Sequence, residues 1–245
     1  MSNSGGYCIY EGTAIRQVTG DSIRPGGFQL TERAMEFCAL PPGAKVLDIG
    51  CGTGATVEYL IDKYQLQAVG IDPSHLLLAQ GRQRRPDLPI FQAVGECLPF
   101  YEGEMAGVLA ECSLSVMTNP ARVLRECQRV LRAGGYLILT DIYAKNSAAV
   151  AGLRTLPLVS CVTGAMGRQE LEEMLKQAGL RVVLWEDHGE LLKQLMVRLI
   201  LTHGSLKNFW QQGDTGGMTG ESIQEIIKEA KLSYYLLVAQ KGEDK

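Results

Sequence analysis

Asp48 sits near the end of a short apolar run, Val46-Leu47-Asp48-Ile49, two positions before the first glycine of Gly50-Cys51-Gly52-Thr53-Gly54. Glycines at 50, 52 and 54 let the backbone turn sharply and lie against a ligand with no Cβ in the way. A helix beginning just beyond them adds free N–H groups and partial positive charge. A pyrophosphate would gain nothing from the Asp48 carboxylate, whereas a cationic ligand carrying an amino group would. The pattern therefore favours S-adenosylmethionine (SAM) over a dinucleotide. A second acid, Asp72, ends the strand-like Ala68-Val69-Gly70-Ile71-Asp72 before Pro73-Ser74. It lies near the roughly 20-residue offset at which an acid after the second strand grips ribose hydroxyls. Asp72 also reads as the N-cap of the next helix, a role Ser74 fills equally well.

Those residues need strands and helices in alternation, and the pattern supplies them from residue 31 onward. Thr31 reads as the N-cap of a helix over 32–40, stopped by Pro41-Pro42-Gly43. Strands are predicted at 45–49, 67–71, 89–94, 106–110 and 136–140, with helices at 55–64, 75–85 and 120–131 between them. Residues 142–167 show no period and read as an insertion after the fifth strand. A helix over 168–178, a strand over 180–185, an apolar helix over 188–202, a helix over 221–230 and a last strand over 233–239 follow. The 188–202 helix is open to three readings: core packing, a lid on the substrate mouth, or an oligomer interface.

Composition narrows the function classes. The 245 residues are 46% hydrophobic and 21% charged with a net charge of −3, an ordinary globular profile that argues against a large nucleic-acid footprint. No apolar run reaches the ~18 residues of a membrane span, and Met1 to Tyr10 lacks the regions of a signal peptide. Seven cysteines occur, an odd number with no C-x-x-C pair. Neither a disulfide framework nor a metal site is expected, and a cytoplasmic location fits.

The chain resembles the class I SAM-dependent methyltransferases. Four motifs carry the resemblance: residues 46–54, Gly70-Ile71-Asp72, Leu98-Pro99-Phe100, and Arg129-Val130-Leu131-Arg132-Ala133-Gly134-Gly135-Tyr136. They look like the small-molecule branch, which includes quinone, sterol and arsenite methyltransferases. The resemblance implies an α/β, Rossmann-like sheet of seven strands in the order 3-2-1-4-5-7-6, strand seven alone antiparallel, with helices on both faces. It implies SAM as cofactor, with Gly50, Cys51, Gly52 and Gly54 along its methionine part, Asp48 near its amino group and Asp72 on its ribose, beside Pro73. The family usually places Asp-Ala before Leu-Pro-Phe, the Asp receiving the adenine amine; here Val94-Gly95 stands there. Glu96 could take that amine, or it is an exposed loop acid. Glu111 approaches the methionine end of SAM or a substrate cation, or is a strand-end acid without a partner.

Methyl transfer from a sulfonium asks mainly for alignment and exclusion of water, so the acceptor is less legible than the cofactor. Within a single methyltransferase domain over 1–245, residues 1–30 are expected to form a lid and 142–167 a substrate cap. Tyr7, Cys8, Tyr10 and Arg24 lie in the first; Arg24 could bind a carboxylate. Asp141, Tyr143 and Cys161 lie on strand five and the insertion, and with Glu111 and Cys112 are the catalytic candidates. His75, His188 and His203 are weaker candidates as bases. Cys112 and Cys161 could meet at one mouth, with Cys8 joining from the lid, and soft thiolates would suit a thiol or metalloid acceptor. Buried thiols also serve simply as small hydrophobes. The leading expectation is methyl transfer to a small-molecule acceptor, in a chain that could form a homo-oligomer. The alternatives are the thiol or metalloid enzyme, a non-catalytic SAM- or adenosylhomocysteine-binding protein, and an NAD-dependent oxidoreductase.

Overall fold

The computed structural model describes residues 7–8, 13–210 and 216–243. Its strands are β1 (Tyr7–Cys8), β2 (Lys45–Ile49), β3 (Gln67–Asp72), β4 (Ile90–Gln92), β5 (Met105–Glu111), β6 (Leu131–Ala144), β7 (Leu158–Val159), β8 (Met166–Gly167), β9 (Leu180–Asp187) and β10 (Leu232–Lys241). Its helices are α1 (Thr13–Thr19), α2 (Gln29–Cys38), α3 (Ala55–Tyr64), α4 (His75–Arg84), α5 (Pro120–Val130), α6 (Val150–Leu153), α7 (Arg168–Gln177), α8 (Gly189–His203), α9 (Leu206–Trp210) and α10 (Gly220–Ala230).

The main sheet runs β4-β3-β2-β5-β6-β10-β9. Counting these seven strands along the chain gives the expected order 3-2-1-4-5-7-6, and β10 alone runs antiparallel to its neighbours. Chain order reverses between β2 and β5, so their carboxyl ends border a crevice where this kind of sheet binds ligands. The short β8 adds parallel to β6 at Tyr143–Met166, beyond the point where β5 ends.

Alternate residues along the strands feed two cores. On one face, Ala34 and Met35 of α2, Val57 and Leu60 of α3, and Ile223 of α10 share a buried cluster with Val46, Leu109, Ile138 and Leu236. On the other, Val123 and Leu124 of α5 and Leu171 and Leu175 of α7 share one with Leu47, Val108, Leu137 and Leu237. Truncating one such fully buried side chain to alanine costs about 2–5 kcal/mol.

Local signals end the elements where the sequence suggests. Ser74 caps α4 by accepting from the Leu77 N–H at 3.3 Å, and Asn119 caps α5 by accepting from Arg122 N–H at 3.0 Å. Three readings need correction. Thr31 is not an N-cap: α2 starts at Gln29, and Thr31 is buried inside it with its hydroxyl donated to Glu111. The fifth core strand is far longer than 136–140. It spans Leu131–Ala144 because Leu131 pairs Met105 before a bulge and β10 continues the ladder as far as Ala144. The 142–167 segment has structure of its own. It holds the end of β6, α6, β7 and β8, and β7 pairs in parallel with β1, Tyr7 with Leu158 and Cys8 with Val159.

The apolar helix becomes α8. Leu191, Leu192 and Leu199 face the core, while Val197 and Leu201 are exposed. Among the described residues, no helix is long and apolar enough to cross a membrane.

Candidate SAM-binding site

A cavity of about 420 Å³ opens at the carboxyl ends of β2, β3 and β5. Its floor is the glycine turn. The Gly50 and Cys51 N–H groups both donate to the Ile71 carbonyl, at 2.8 and 3.0 Å, which pins the turn to the end of β3. Gly50 has φ +76°, and a Cβ there would lie 2.5 Å from Ser113 Cβ. Ser113 is itself anchored by its hydroxyl to the Ile49 carbonyl at 2.6 Å. Glycine is thus required twice, by conformation and by space. Gly54, at φ +75°, is the N-cap of α3 and packs toward Ile90 rather than lining the cavity. The Cys51 backbone lines the cavity, but its thiol packs against Gly70, and burial holds it well above the ordinary thiol range.

Asp72 fixes the opposite edge. Its Oδ2 accepts from the Gly52 N–H and its Oδ1 from the Ser74 N–H, both at 2.8 Å. A carboxylate oxygen accepts more than one hydrogen bond, so acceptance of ribose hydroxyls is compatible with these bonds. Pro73, Leu77, Val94 and Gly95 continue the wall, with Val94 47% exposed. Glu96 also lines it, and its Oε1 accepts from the Asn119 N–H at 3.1 Å.

Behind the turn lies a buried charge network that the motif reading missed. Arg24 Nη1 meets Glu111 Oε2 at 2.9 Å, with side-chain exposures of 5% and 2%. Arg24 also donates to Thr56 Oγ1, Thr31 Oγ1 and the Gly27 carbonyl. Thr31 and Thr56 in turn donate to the two Glu111 oxygens at 2.8 and 3.1 Å. Glu111 is therefore compensated from inside the protein, and Arg24 clamps the segment before α2 onto the sheet. No sequence spacing links positions 24, 31, 56 and 111; the fold alone brings them together.

Asp48 behaves differently. It is 3% exposed, it lines the cavity, and among the described residues nothing donates a hydrogen bond to it. Burial, with repulsion from Glu111, pushes its pKa up to about 8 despite Arg24. A buried carboxylate in this state gains from any cation that reaches it.

The acceptor-side candidates divide. Cys112 lines the cavity at the end of β5, in a left-handed conformation at φ +52°. Its Sγ lies 3.3 Å from the Tyr234 hydroxyl. Asp141 and Cys161 meet it behind the wall: the two sulfurs and an Asp141 oxygen all lie within 4.8 Å of one another. Asp141 accepts from Ser115 Oγ, Ser115 N–H and Ile142 N–H, and burial pushes its pKa up to about 6. Tyr143 stands apart. Its hydroxyl donates to Asp187 at 2.6 Å and its ring packs edge-on against Trp185 and Tyr235. Burial and Asp187 raise its pKa to about 12. None of the three histidines lines the cavity; His188 lies 3.0 Å from Glu186, and His203 packs against Phe209. Tyr10 falls outside the described residues.

Residues 47–139 match the model of the methyltransferase domain family. An O-methyltransferase of Penicillium expansum is 29% identical over 233 residues, 88% of this chain and 78% of its own length. A demethylmenaquinone methyltransferase of Renibacterium salmoninarum is 30% identical over 125 residues, 51% of this chain and 52% of its own length. Phosphoethanolamine N-methyltransferase 2 of Haemonchus contortus, solved with SAM, superposes with a TM-score of 0.72 at 19% identity, over 94% of this chain and 56% of that one. Residues 47–139 thus carry the match to the methyltransferase domain family, and the likeness to the SAM-bound structure is one of fold. The chain spans about half the length of several relatives, including 53% of a Mycobacterium tuberculosis protein at 32% identity.

Proposed function

We propose that this protein transfers a methyl group from SAM to a small-molecule acceptor. The observation that carries the reading is Asp48, a buried carboxylate with no hydrogen-bond donor among the described residues, facing a cavity whose floor is a glycine turn. Asp48 would pair with the ligand ammonium, Gly50 to Gly52 would lie along its methionine chain, and Asp72 would accept from its ribose. Val94, Gly95 and Pro73 would flank adenine, with Glu96 turned to its amine. When bound, SAM supplies a methyl group on an already activated sulfonium. The protein's part is then orientation and exclusion of water. The segment held by Arg24 and the 142–167 insertion, joined by the β1–β7 pairing, would cover the acceptor side. The small molecules named for the relatives support an acceptor of that size class.

The gathering of Cys112 and Cys161 favours a thiol acceptor as the more specific reading. Release of adenosylhomocysteine from SAM in the presence of the low-molecular-weight fraction of a cell extract tests the general reading. Turnover supports it. SAM binding without turnover in any fraction supports a non-catalytic binding protein instead.

A further inference from the structure

We propose that Cys112, Cys161 and Asp141 bind one divalent thiophilic cation of the zinc class at the inner wall of the cavity. Three parts of the chain converge there: the turn after β5, the insertion turn after β7, and the end of β6. Their three donor atoms lie within 4.8 Å of one another, a spacing that a single ion can draw together. The convergence is built. A Cβ on Gly164 would lie 1.7 Å from the Ser115 carbonyl oxygen, so only glycine lets the Cys161 turn press onto the Ser115 segment. Ser115 then holds Asp141 through its backbone N–H at 3.1 Å and its hydroxyl at 2.9 Å. With the Ile142 N–H, these bonds orient the carboxylate and leave Oδ2 a lone pair, as the partners of metal ligands do.

Cys112 adds an independent sign. It occupies a left-handed turn at φ +52°, where glycine would be less strained. The side chain is kept at a strained position, pointed at Cys161 and bracketed by Tyr234, whose hydroxyl also donates to Thr140 at 3.1 Å. Two thiolates and one carboxylate match a zinc-class ion better than a trivalent metalloid, which favours sulfur alone. Three protein ligands leave a fourth position, and Cys112 is the member that borders the cavity. A thiol acceptor taking that position would leave its proton on the water it displaces and remain on the ion as thiolate. This use of the ion rests on the proposed methyl transfer; the binding site itself does not.

The test is a titration of the reduced, metal-free full chain with zinc(II) against a chromophoric chelator. One equivalent is expected to bind. Cys112→Ser and Cys161→Ser should each weaken it by at least about 100-fold, and Asp141→Asn by about tenfold. Bound zinc should shield both thiols from alkylation in the wild type and leave the one remaining thiol unshielded in each serine variant. Calorimetry with SAM on Cys161→Ser and Asp141→Asn, whose side chains do not line the cavity, should show retained affinity, which separates failure at this site from failure of the SAM reading and shows that these variants fold. Absence of stoichiometric zinc binding, or binding undiminished in both serine variants, would overturn the proposal. So would binding of arsenite to the two thiols with zinc excluded, or a Cys112–Cys161 disulfide in a protein that takes up no zinc when reduced.

Discussion

Glu111 and Asp48 are buried carboxylates at the ends of adjacent strands. Glu111 meets Arg24, Thr31 and Thr56, whereas Asp48 meets no donor among the described residues. The difference has consequences for stability. The folded pKa of Asp48 is raised to about 8 from 3.8. The native state then keeps a proton that the unfolded chain loses, so this contribution is fully present below pH 4 and is lost as pH rises through about 8. Asp48→Asn is expected to flatten that decline. Denaturant unfolding at pH 6 and pH 8.5 should show a smaller difference for the variant, by a few kcal/mol, than for the wild type. At Arg24 the expectation is opposite. Arg24→Met leaves Glu111 buried and unpaired, and should destabilise by about 3–5 kcal/mol. Adding Glu111→Leu should recover most of that loss, and a double-mutant cycle by denaturant unfolding checks it. Sequence reasoning singled out Asp48, Asp72 and Glu111 because each sits where an apolar run stops. It did not see that Arg24 would satisfy Glu111, since that pairing depends on how residues 87 positions apart fold together.

At the scale of elements, the glycine turn and the strand ends were readable because their causes are local. The helix at Ala55–Tyr64 and the strand at Lys45–Ile49 appear with the expected bounds. Gly50→Ala should cost about 1–3 kcal/mol from its positive φ, plus the displacement of Ser113, whose Cβ would lie 2.5 Å away. Gly43→Ala has a similar φ, +79°, but open space around it, and should cost less. Thermal unfolding of the two variants side by side measures the difference. The insertion was not readable in this way. Its β7 and β8 are two residues each and exist only through pairing with β1 and β6. Cys112, Asp141 and Cys161 likewise lack the short C-x-x-C spacing that marks a metal site, because each comes from a different connection.

For the whole molecule, the two crossover halves meet at β2 and β5, and the cavity lies across that meeting. Much of the ligand wall comes from β2, β3, β5 and the turns after them, while α8, α9 and α10 pack elsewhere. Saturating SAM, at about 100 times its dissociation constant, should stabilise the fold by about 2.7 kcal/mol. Differential scanning fluorimetry should then show a rise of roughly 5–10 °C, with none from NAD. Calorimetric titration of SAM into the wild type and into Asp48→Asn, at pH 6.5 in two buffers of different ionisation enthalpy, tests the central claim most directly. One SAM should bind the wild type with release of about one proton, because the ligand ammonium ionises Asp48. Asp48→Asn should release none and bind about 10–100-fold more weakly. Equal affinity and equal proton release in the two proteins would contradict the assignment of Asp48, and failure of the wild type to bind SAM would contradict the account as a whole.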